Sequence, residues 1–506
     1  MTRAGFVLGN PPFVGAKFMI EAQREDTQLV FAGVENAGLL DFVAAWYVKA
    51  AHYLRDEVPA SAVWPAGAHE PSVFKIAPTG HTALTSGRER ANTRCAFVST
   101  NSITQGEQVG VLWGWLLAQG MHIHFAHRTF SWSNEASGKA AVHCVIIGFG
   151  LTDLPGKVIF EYDDIRGEPH AVQVANINPY LIDAADIVLP RRRAPICAVP
   201  GISKGNQPTD GGHLILSQSE RDTFLEKHPD ATHLVKRLIG AREFLHGESR
   251  YCLWLVNASP PELRRYAFVM QRIEKCRRFR AEEGVASDTI ALADTPTLFR
   301  ETRNPESYVI VPSVSSERRT YIPFGFETGD TIATNLCLVI DNAGLWEFAI
   351  LASTMHNAWV RYTCGRLKSD YRYSKDIVYN NFPWPEFASV VKAAEPLTPH
   401  HPSQTAIETA AQTVLDVRAR FQTGEQPATL ADLYDPLTMP PELLKAHQKL
   451  DAAVDKAYEA SGGKKHYKSD AERVAFLFEL YQKYTSLLPA DAKKTKGRKP
   501  KARDHA

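Results

Sequence analysis

The chain has 506 residues, of which 44% are hydrophobic, and its 57 basic residues nearly balance its 56 acidic ones. This excludes a disordered chain and fits two or three domains with hydrophobic cores, while a net charge of +1 leaves only local basic clusters to attract a polyanion. The seven cysteines form no CxxC pair or metal-type spacing, and there is no signal peptide or apolar stretch of membrane length. We therefore expect a cytoplasmic protein with reduced, buried thiols, no metal site and no membrane contact.

The first predicted element is a short strand that ends at two prolines. The apolar run at residues 5–9 is followed by Asn10-Pro11-Pro12-Phe13. Because proline has no N–H for a β-ladder, the strand must stop there and present Asn10 at its carboxyl end, where ligands collect in open α/β sheets. The alternative is a Pro-rich turn between strand and helix with a purely structural role.

This tip suits the methylation of an exocyclic amine. The amino nitrogen of adenine is conjugated with its ring and weakly nucleophilic, so a catalyst must hold its hydrogens with fixed acceptors. The side-chain carbonyl of Asn10 and the backbone carbonyl of Pro11 supply two acceptors. Phe13 offers a face on which a base extracted from the duplex can stack. Asn-Pro-Pro followed by an aromatic residue resembles motif IV of amino-methylating DNA methyltransferases.

The chain then alternates between helices and strands. After a polar loop, apolar residues at helical spacing predict a helix from Leu39 to Leu54, and a second helix is predicted around 109–117. Strands are predicted at residues 96–100, 122–126 and 142–147.

A loop that contains two aromatic residues joins the last two of these strands. We expect Phe130 in this loop to close on the base from the side opposite Phe13. Trp132 either shares that role or covers a hydrophobic edge. The alternative for both aromatic residues is a purely structural role, in which they only cover such an edge.

In sequence order these elements resemble strands four to seven of the class I methyltransferase sheet, a Rossmann-like α/β fold. The resemblance implies that S-adenosylmethionine is the methyl donor, bound on a Gly-rich turn after strand one with an acidic residue after strand two. No such turn precedes Asn10, so the donor-binding residues are unknown. We expect the carboxyl-terminal part of a larger or split enzyme, with an upstream polypeptide that carries the donor motif.

Further strings sharpen the resemblance. They occur at residues 99–106, 127–130, 208–217, 240–244, 250–255, 315–323, 365–374 and 380–385. Together they resemble the type IIL (Mme-type) restriction-modification enzymes, which are single chains with a nuclease, an adenine methyltransferase and one target-recognition domain. The resemblance implies site-specific methyl transfer to adenine N6 of double-stranded DNA with base flipping. The nuclease and the donor motif are the parts of this pattern that the sequence lacks.

The predicted organisation has six parts, at residues 1–155, 156–195, 196–388, 389–425, 426–488 and 489–506. In that order they are a partial methyltransferase domain, a linker, an α+β target-recognition domain, a second linker, a helical domain, and a disordered basic tail that adds nonspecific attraction for DNA.

Basic clusters in the recognition region predict DNA contacts. Arg272, Lys275 and Arg278 are spaced so that they share a helix face and could meet one phosphate track. Further candidates for phosphate contacts are Arg318, Arg319, Lys368 and Arg372. The alternative is a solvated face without a partner.

Two other functions stay open. In the first, the chain is a DNA-binding specificity subunit or inactive remnant that methylates nothing unaided. In the second, it is an amino-methylating enzyme that acts on RNA or on protein glutamine, because such enzymes share the Asn-Pro-Pro tip.

Overall fold

The computed structural model describes residues 5–55, 93–132, 142–385 and 402–486. The strands are β1 Phe6–Gly9, β2 Arg94–Thr100, β3 His122–Trp132, β4 Val142–Gly150, β5 Lys157–Glu161, β6 His170–Val174, β7 Ile202–Lys204, β8 Ile215–Leu216, β9 Val235–Ile239, β10 Tyr251–Leu253, β11 Ser307–Pro312, β12 Val314–Ser315, β13 Gly325–Thr328, β14 Thr331–Ala333, β15 Cys337–Asp341, β16 Gly365–Leu367 and β17 Asp370–Arg372. The α-helices are α1 Glu21–Val30, α2 Ala44–Leu54, α3 Gly106–Ala118, α4 Gln218–Lys227, α5 Ala241–His246, α6 Pro260–Leu263, α7 Ala267–Ala281, α8 Ser287–Ile290, α9 Leu345–Ala352, α10 Thr354–Thr363, α11 Pro402–Phe421, α12 Leu430–Leu433, α13 Pro441–Glu459 and α14 Asp470–Ser486.

The amino-terminal region is built on a six-stranded mixed sheet in the order β1-β2-β4-β3-β5-β6. β1 and β2 run parallel, whereas β4 lies between β2 and β3 and is antiparallel to both. The apolar faces of α2 and α3 pack on this sheet through Tyr47 and Trp113, which contact the Phe149 ring of β4. In the described part of the chain β1 pairs with β2 alone, so its outer edge is free, with Phe6 and Leu8 62% and 74% exposed.

The predicted strands and helices of this region are present, with four differences. The helix predicted from Leu39 begins at Ala44, because Leu40 has an extended backbone. The polar stretch before residue 39 contains α1, a solvated helix in which Thr27 is the only buried residue, so it lacks the apolar periodicity that the sequence reading required. The strand predicted at 122–126 continues to Trp132, because β4 supplies backbone partners as far as Val142. Beyond residue 155, where a linker was predicted, β5 and β6 extend the same sheet.

The recognition region contains two cores. One four-stranded sheet, β14-β9-β10-β8, packs with α4 and α7 around a separate hydrophobic cluster that includes Leu238 and Cys276. The other, β13-β11-β15-β7, belongs to the large core that is continuous with the amino-terminal sheet. A small three-stranded sheet, β12-β17-β16, completes the region.

The carboxyl-terminal helices pack against each other and against the recognition region. α11 begins at residue 402, inside the stretch predicted as a linker, because its buried Ile407, Ala411 and Val414 recur at helical spacing. The predicted break at Gly462-Gly463 separates α13 from α14. The basic tail at 489–506 lies outside the described residues.

All seven cysteines are buried and unpaired, as predicted. No helix among the described residues has the length and hydropathy needed to span a bilayer. Within the same residues, no three His, Cys, Asp or Glu side chains are grouped closely enough to hold a metal ion.

Candidate active site and nucleic-acid interface

The predicted catalytic tip lies directly after β1. The strand ends at Gly9, the residue before Asn10, as the two prolines predict. Asn10 is exposed, Pro11 is buried, and Pro12 and Phe13 are half-buried. The Asn10 side chain is therefore accessible at the carboxyl end of an edge strand.

Asp41 joins the loop behind this tip to the end of β2. Its Oδ1 accepts a hydrogen bond from the Ala16 amide at 2.9 Å, and its Oδ2 accepts one from the Ser102 hydroxyl at 2.6 Å. The Phe42 amide donates to the Val14 carbonyl at 2.9 Å in the same loop. The sequence reading missed Asp41, because a single acidic residue before a helix carries no recognisable spacing.

Phe130 and Trp132, two of the aromatic residues predicted to face the base, lie in a cluster formed by β3, β5 and the residue that follows β5. Phe130 stacks on Tyr162, with ring centroids 5.5 Å apart, and His127 stacks on Phe160 at 4.2 Å. His127 Nδ1 and the Tyr162 hydroxyl are hydrogen-bonded at 2.9 Å, and partial burial lowers the pKa of His127. Trp132 is 38% exposed, and its ring is tilted by 51° relative to the Phe130 ring, with centroids 6.1 Å apart.

The placement of Phe130 differs from the prediction in one respect. Phe130 and Trp132 belong to strand β3 rather than to a loop, although the register of β3 against β4 shifts between His127 and Phe130. Among the ring pairs of the described residues, Phe130 contacts His127, Trp132 and Tyr162 and is not paired with Phe13. A shifted register re-aims side chains, which leaves Phe130 half-buried at the open end of the sheet.

Arg128 connects this cluster to the recognition region. Its guanidinium forms an ion pair with Glu161 at 2.7 Å and donates to the Leu181 carbonyl at 2.9 Å. It also donates to the Tyr362 hydroxyl of α10 at 3.1 Å and lies over that ring. A second contact across the same junction pairs His143 of β4 with Glu317 at 3.7 Å.

A polar cavity of about 290 Å³ lies at this junction. It is lined from all three regions of the chain, by Gln105 and Arg128 of the first, by Arg361 and Arg366 of the second, and by Ser469 before α14. Each of the three arginines is hydrogen-bonded to protein groups. The cavity marks the point where the three regions meet.

The small sheet brings together two basic strings that are 50 residues apart in the sequence. Val314 of β12 pairs with Arg372 of β17, and β16 and β17 form a hairpin whose turn contains Lys368. Lys368 is exposed and has a left-handed backbone, with φ of 57°. Arg372 is exposed, whereas Arg366 lies over the Tyr371 ring and donates to the Ser369 carbonyl.

Arg318 and Arg319 follow β12 and differ in exposure. The Arg318 side chain is 60% exposed and lies 4.0 Å from Asp435. Arg319 is half-buried, donates to the Ser315 hydroxyl at 3.4 Å, and has a pKa lowered by burial.

Helix α7 does not present its basic residues on one surface. Lys275 and Arg278 are exposed, and Arg278 pairs with Glu274 at 3.0 Å. Arg272 instead lies against the protein, where it pairs with Glu220 and donates to the His213 and Ile215 carbonyls. The three residues that the sequence placed on one face are therefore divided between solvent and internal contacts.

Comparison with known proteins matches three consecutive parts of the chain to protein families. The MmeI DNA-methyltransferase domain matches residues 2–64 and 81–161, the MmeI target recognition domain matches 183–386, and the MmeI C-terminal domain matches 400–489. The chain thus combines a DNA methyltransferase domain with a target recognition domain. It belongs to the MmeI family of type IIL restriction-modification proteins.

Two relatives extend over nearly the whole chain. DNA methyltransferase A of Bacillus subtilis (strain 168) is 37% identical over 481 residues, which are 95% of this chain and 48% of that protein. The structure of the type IIL restriction-modification enzyme MmeI in complex with DNA matches 95% of this chain and 57% of that chain, with a TM-score of 0.76 and 44% identity. This chain spans about half the length of the curated relative that it matches.

Proposed function

We propose that this chain provides the catalytic tip and the specificity region of a DNA methyltransferase that transfers a methyl group from S-adenosylmethionine to the N6 of adenine in a specific duplex sequence. The observation that carries the proposal is the exposed Asn10 at the carboxyl end of β1, which pairs in parallel with β2, while Asp41 links the loop that follows Asn10 to the end of β2. The order β1-β2-β4-β3, with β4 reversed, supports a class I sheet because it corresponds to strands 4-5-7-6 of that fold.

The proposed chemistry needs two acceptors and a stacking surface. The Asn10 side-chain oxygen and the Pro11 carbonyl accept the amino hydrogens of the flipped adenine, so that the nitrogen lone pair faces the methyl donor. Phe13 stacks on the base, and Phe130, supported by Tyr162, limits the site from the β3 side. The methyl group moves to nitrogen as the donor sulfur recovers its electron pair, and the amine then loses a proton to solvent.

The methyl donor is a substrate whose binding residues we place beyond the free edge of β1. Among the described residues, the backbone groups of this edge have no strand partner and Phe6 and Leu8 are exposed, which favours pairing with a further strand. We propose that a polypeptide segment carrying a Gly-rich donor-binding turn pairs with this edge.

The proposed DNA surface has two parts. Lys368, Arg372 and Arg318 extend from the small sheet, with Arg319 partly behind them, and Lys275 and Arg278 lie on α7. Side chains of this type contact phosphates and base edges. We omit Arg272 from the proposed surface, because its guanidinium already has internal partners.

The test is transfer of labelled methyl from S-adenosylmethionine to a random-sequence duplex library, by the chain alone and with the donor-binding polypeptide of a family member added. We expect transfer to adenine with the added polypeptide. Asn10→Ala should lower the rate by on the order of a hundred-fold or more, as loss of a group that stabilises the transition state does, with unchanged DNA binding. Asn10→Asp, which keeps one acceptor oxygen, should retain more activity than Asn10→Ala.

Three other results would each contradict part of the proposal. A wild-type rate for Asn10→Ala would remove Asn10 from the mechanism. Selective DNA binding without transfer under any condition would leave the chain as a specificity subunit, and labelling of RNA or protein in preference to duplex DNA would assign the tip to another substrate.

A further inference from the structure

Two strings that were noted separately in the sequence meet in the fold. Residues 99–106 lead from β2 into α3, and residues 365–374 form the β16–β17 hairpin. Gly106, the first residue of α3, lies directly against Gly365, the first residue of β16. A Cβ atom added to Gly106 would be 2.9 Å from the Gly365 Cα and 3.0 Å from its amide nitrogen.

The contact is asymmetric. Gly106 has φ of +62°, a conformation that favours glycine, and the space where its side chain would stand is filled by backbone. A Cβ added to Gly365 would instead meet only the Gly106 Cα at 3.9 Å, an ordinary van der Waals distance. Backbone cannot move aside as the end of a flexible side chain can, so a residue larger than glycine at position 106 must push the hairpin away.

Each of the two glycines lies close in the chain to one part of the proposed functional site. On one side, the turn at Asn101–Thr104 contains Ser102, which donates to Asp41, and Asp41 holds the loop behind Asn10. On the other side, Gly365 begins β16, and only Arg366 and Leu367 separate it from Lys368 at the hairpin turn. The contact therefore lies on the short structural path between the catalytic tip and the hairpin.

Flanking contacts support the same junction but are made by adjustable side chains. Arg128 donates to Tyr362 at 3.1 Å, and Glu317 lies 3.7 Å from His143 and 3.5 Å from Arg366. In the glycine contact, by comparison, two backbones approach each other directly.

We propose that the Gly106–Gly365 contact is a positioning joint that sets the distance between the methyltransferase tip and the β16–β17 hairpin. It thereby determines which base, counted from the sequence that the hairpin contacts, reaches Asn10. This inference rests on the proposed function for its consequence, but the joint itself can be tested without methylation.

The alternative is that Gly106 serves only the backbone of α3. The chain offers a matched control, because Gly120 follows the same helix, has φ of +80°, and has only Leu151 Cδ2, at 3.9 Å, near the position of an added Cβ. Gly120→Ala has the same kind of backbone strain as Gly106→Ala without the clash.

The experiment compares Gly106→Ala, Gly365→Ala and Gly120→Ala by hydrogen exchange and by selection from a random duplex library. We expect Gly106→Ala to increase exchange at least tenfold in residues 365–372 while leaving β4 unchanged, and to broaden the selected sequence. Gly365→Ala should behave as wild type, and Gly120→Ala should leave the hairpin unchanged. Where methyl transfer is reconstituted, Gly106→Ala should move the methylated adenine relative to the selected sequence or distribute methylation over several positions.

Equal hydrogen-exchange rates of the hairpin in Gly106→Ala and Gly120→Ala would overturn the proposal. So would an increase in hairpin exchange in Gly365→Ala as large as that in Gly106→Ala. If Gly106→Ala does not fold, Gly106→Asn carries the test: asparagine tolerates a left-handed backbone better than alanine but adds the same Cβ, and an unchanged hairpin in that variant would refute the joint. If wild-type chain transfers no methyl group, the exchange and selection results still decide the joint, so the two failures are distinguishable.

Discussion

Helix α7 and the small β12-β17-β16 sheet are both rich in arginine and lysine, yet they use these residues differently. On α7 the buried stripe that contains Ile273 and Cys276 continues to Arg280, whose side chain is completely buried. On the sheet, the hairpin turn carries Lys368 into solvent and leaves Arg372 exposed. On α7 the basic residues are thus divided between the core and the surface, whereas Lys368 and Arg372 of the hairpin are both on the surface.

Arg280 shows how a cation can be buried without an acidic partner. Its guanidinium donates to five backbone carbonyls, those of Pro208, Thr209, Leu292, Thr295 and Leu298. The planar guanidinium has five N–H donors, so every donor has a partner and the loops around α7 are held together by one side chain.

The largest expected effect is the loss of methyl transfer in Asn10→Ala. The next largest is the loss of stability when Arg280 is replaced. Arg280→Met should lower the free energy of unfolding by roughly 3–5 kcal/mol, because it leaves buried carbonyls without donors. Urea titration followed by hydrogen exchange of β9 and β10 measures this loss. Arg277→Met, at a side chain 56% exposed, is the control, and an equal effect from the two would refute the structural role of Arg280.

A second comparison concerns DNA affinity. Replacing Lys368 and Arg372 together by alanine should weaken binding to the selected duplex by roughly tenfold or more, and reduce the slope of log affinity against log salt by about 2 if both contact phosphates. Lys275→Ala with Arg278→Ala should weaken binding to all duplexes uniformly. Fluorescence anisotropy over a salt series separates these outcomes, and no loss from either double variant would exclude both surfaces.

The variant Lys368→Gly distinguishes the effect of the Lys368 charge from the effect of the turn conformation. Glycine adopts the left-handed backbone of this position without strain, so the variant removes the ammonium group and relieves a conformation that costs other residues about 1–2 kcal/mol. We expect the DNA affinity of Lys368→Gly to equal that of Lys368→Ala and its thermal stability to exceed it. Wild-type affinity in Lys368→Gly would assign importance to turn geometry rather than charge.

A loss of stability in acid is expected to originate away from both basic regions. Burial lowers the pKa of His356 and of His447 to about 3, below the ordinary value of 6.5. A depressed folded-state pKa contributes stability that is complete above pH 6.5 and is lost as pH falls toward 3, by about 2 kcal/mol per histidine between pH 6.5 and pH 5.

The matching variant is His356→Met, which cannot titrate. It loses the hydrogen bond to Tyr373 at neutral pH, but its unfolding temperature should fall less between pH 7 and pH 5 than that of the wild type. An identical acid response in the wild type and in His356→Met would contradict the assignment.

The sequence by itself determined the local features of this protein. The two prolines ended β1 before Asn10, the apolar periodicities located α2, α3, α13 and α14, and the buried cysteines stayed unpaired. These features depend on short-range rules: proline lacks an N–H, and a helix buries every third or fourth residue.

Only the tertiary structure decided which distant residues meet. The extension of β3 past Phe130 required β4 as a partner, the inward position of Arg272 required Glu220, and the anchoring of the tip required Asp41 beside Ser102. The approach of Gly106 to Gly365 joins residues more than 250 positions apart. Such contacts depend on how whole elements pack, and no periodicity or motif within a window of the sequence carries that information.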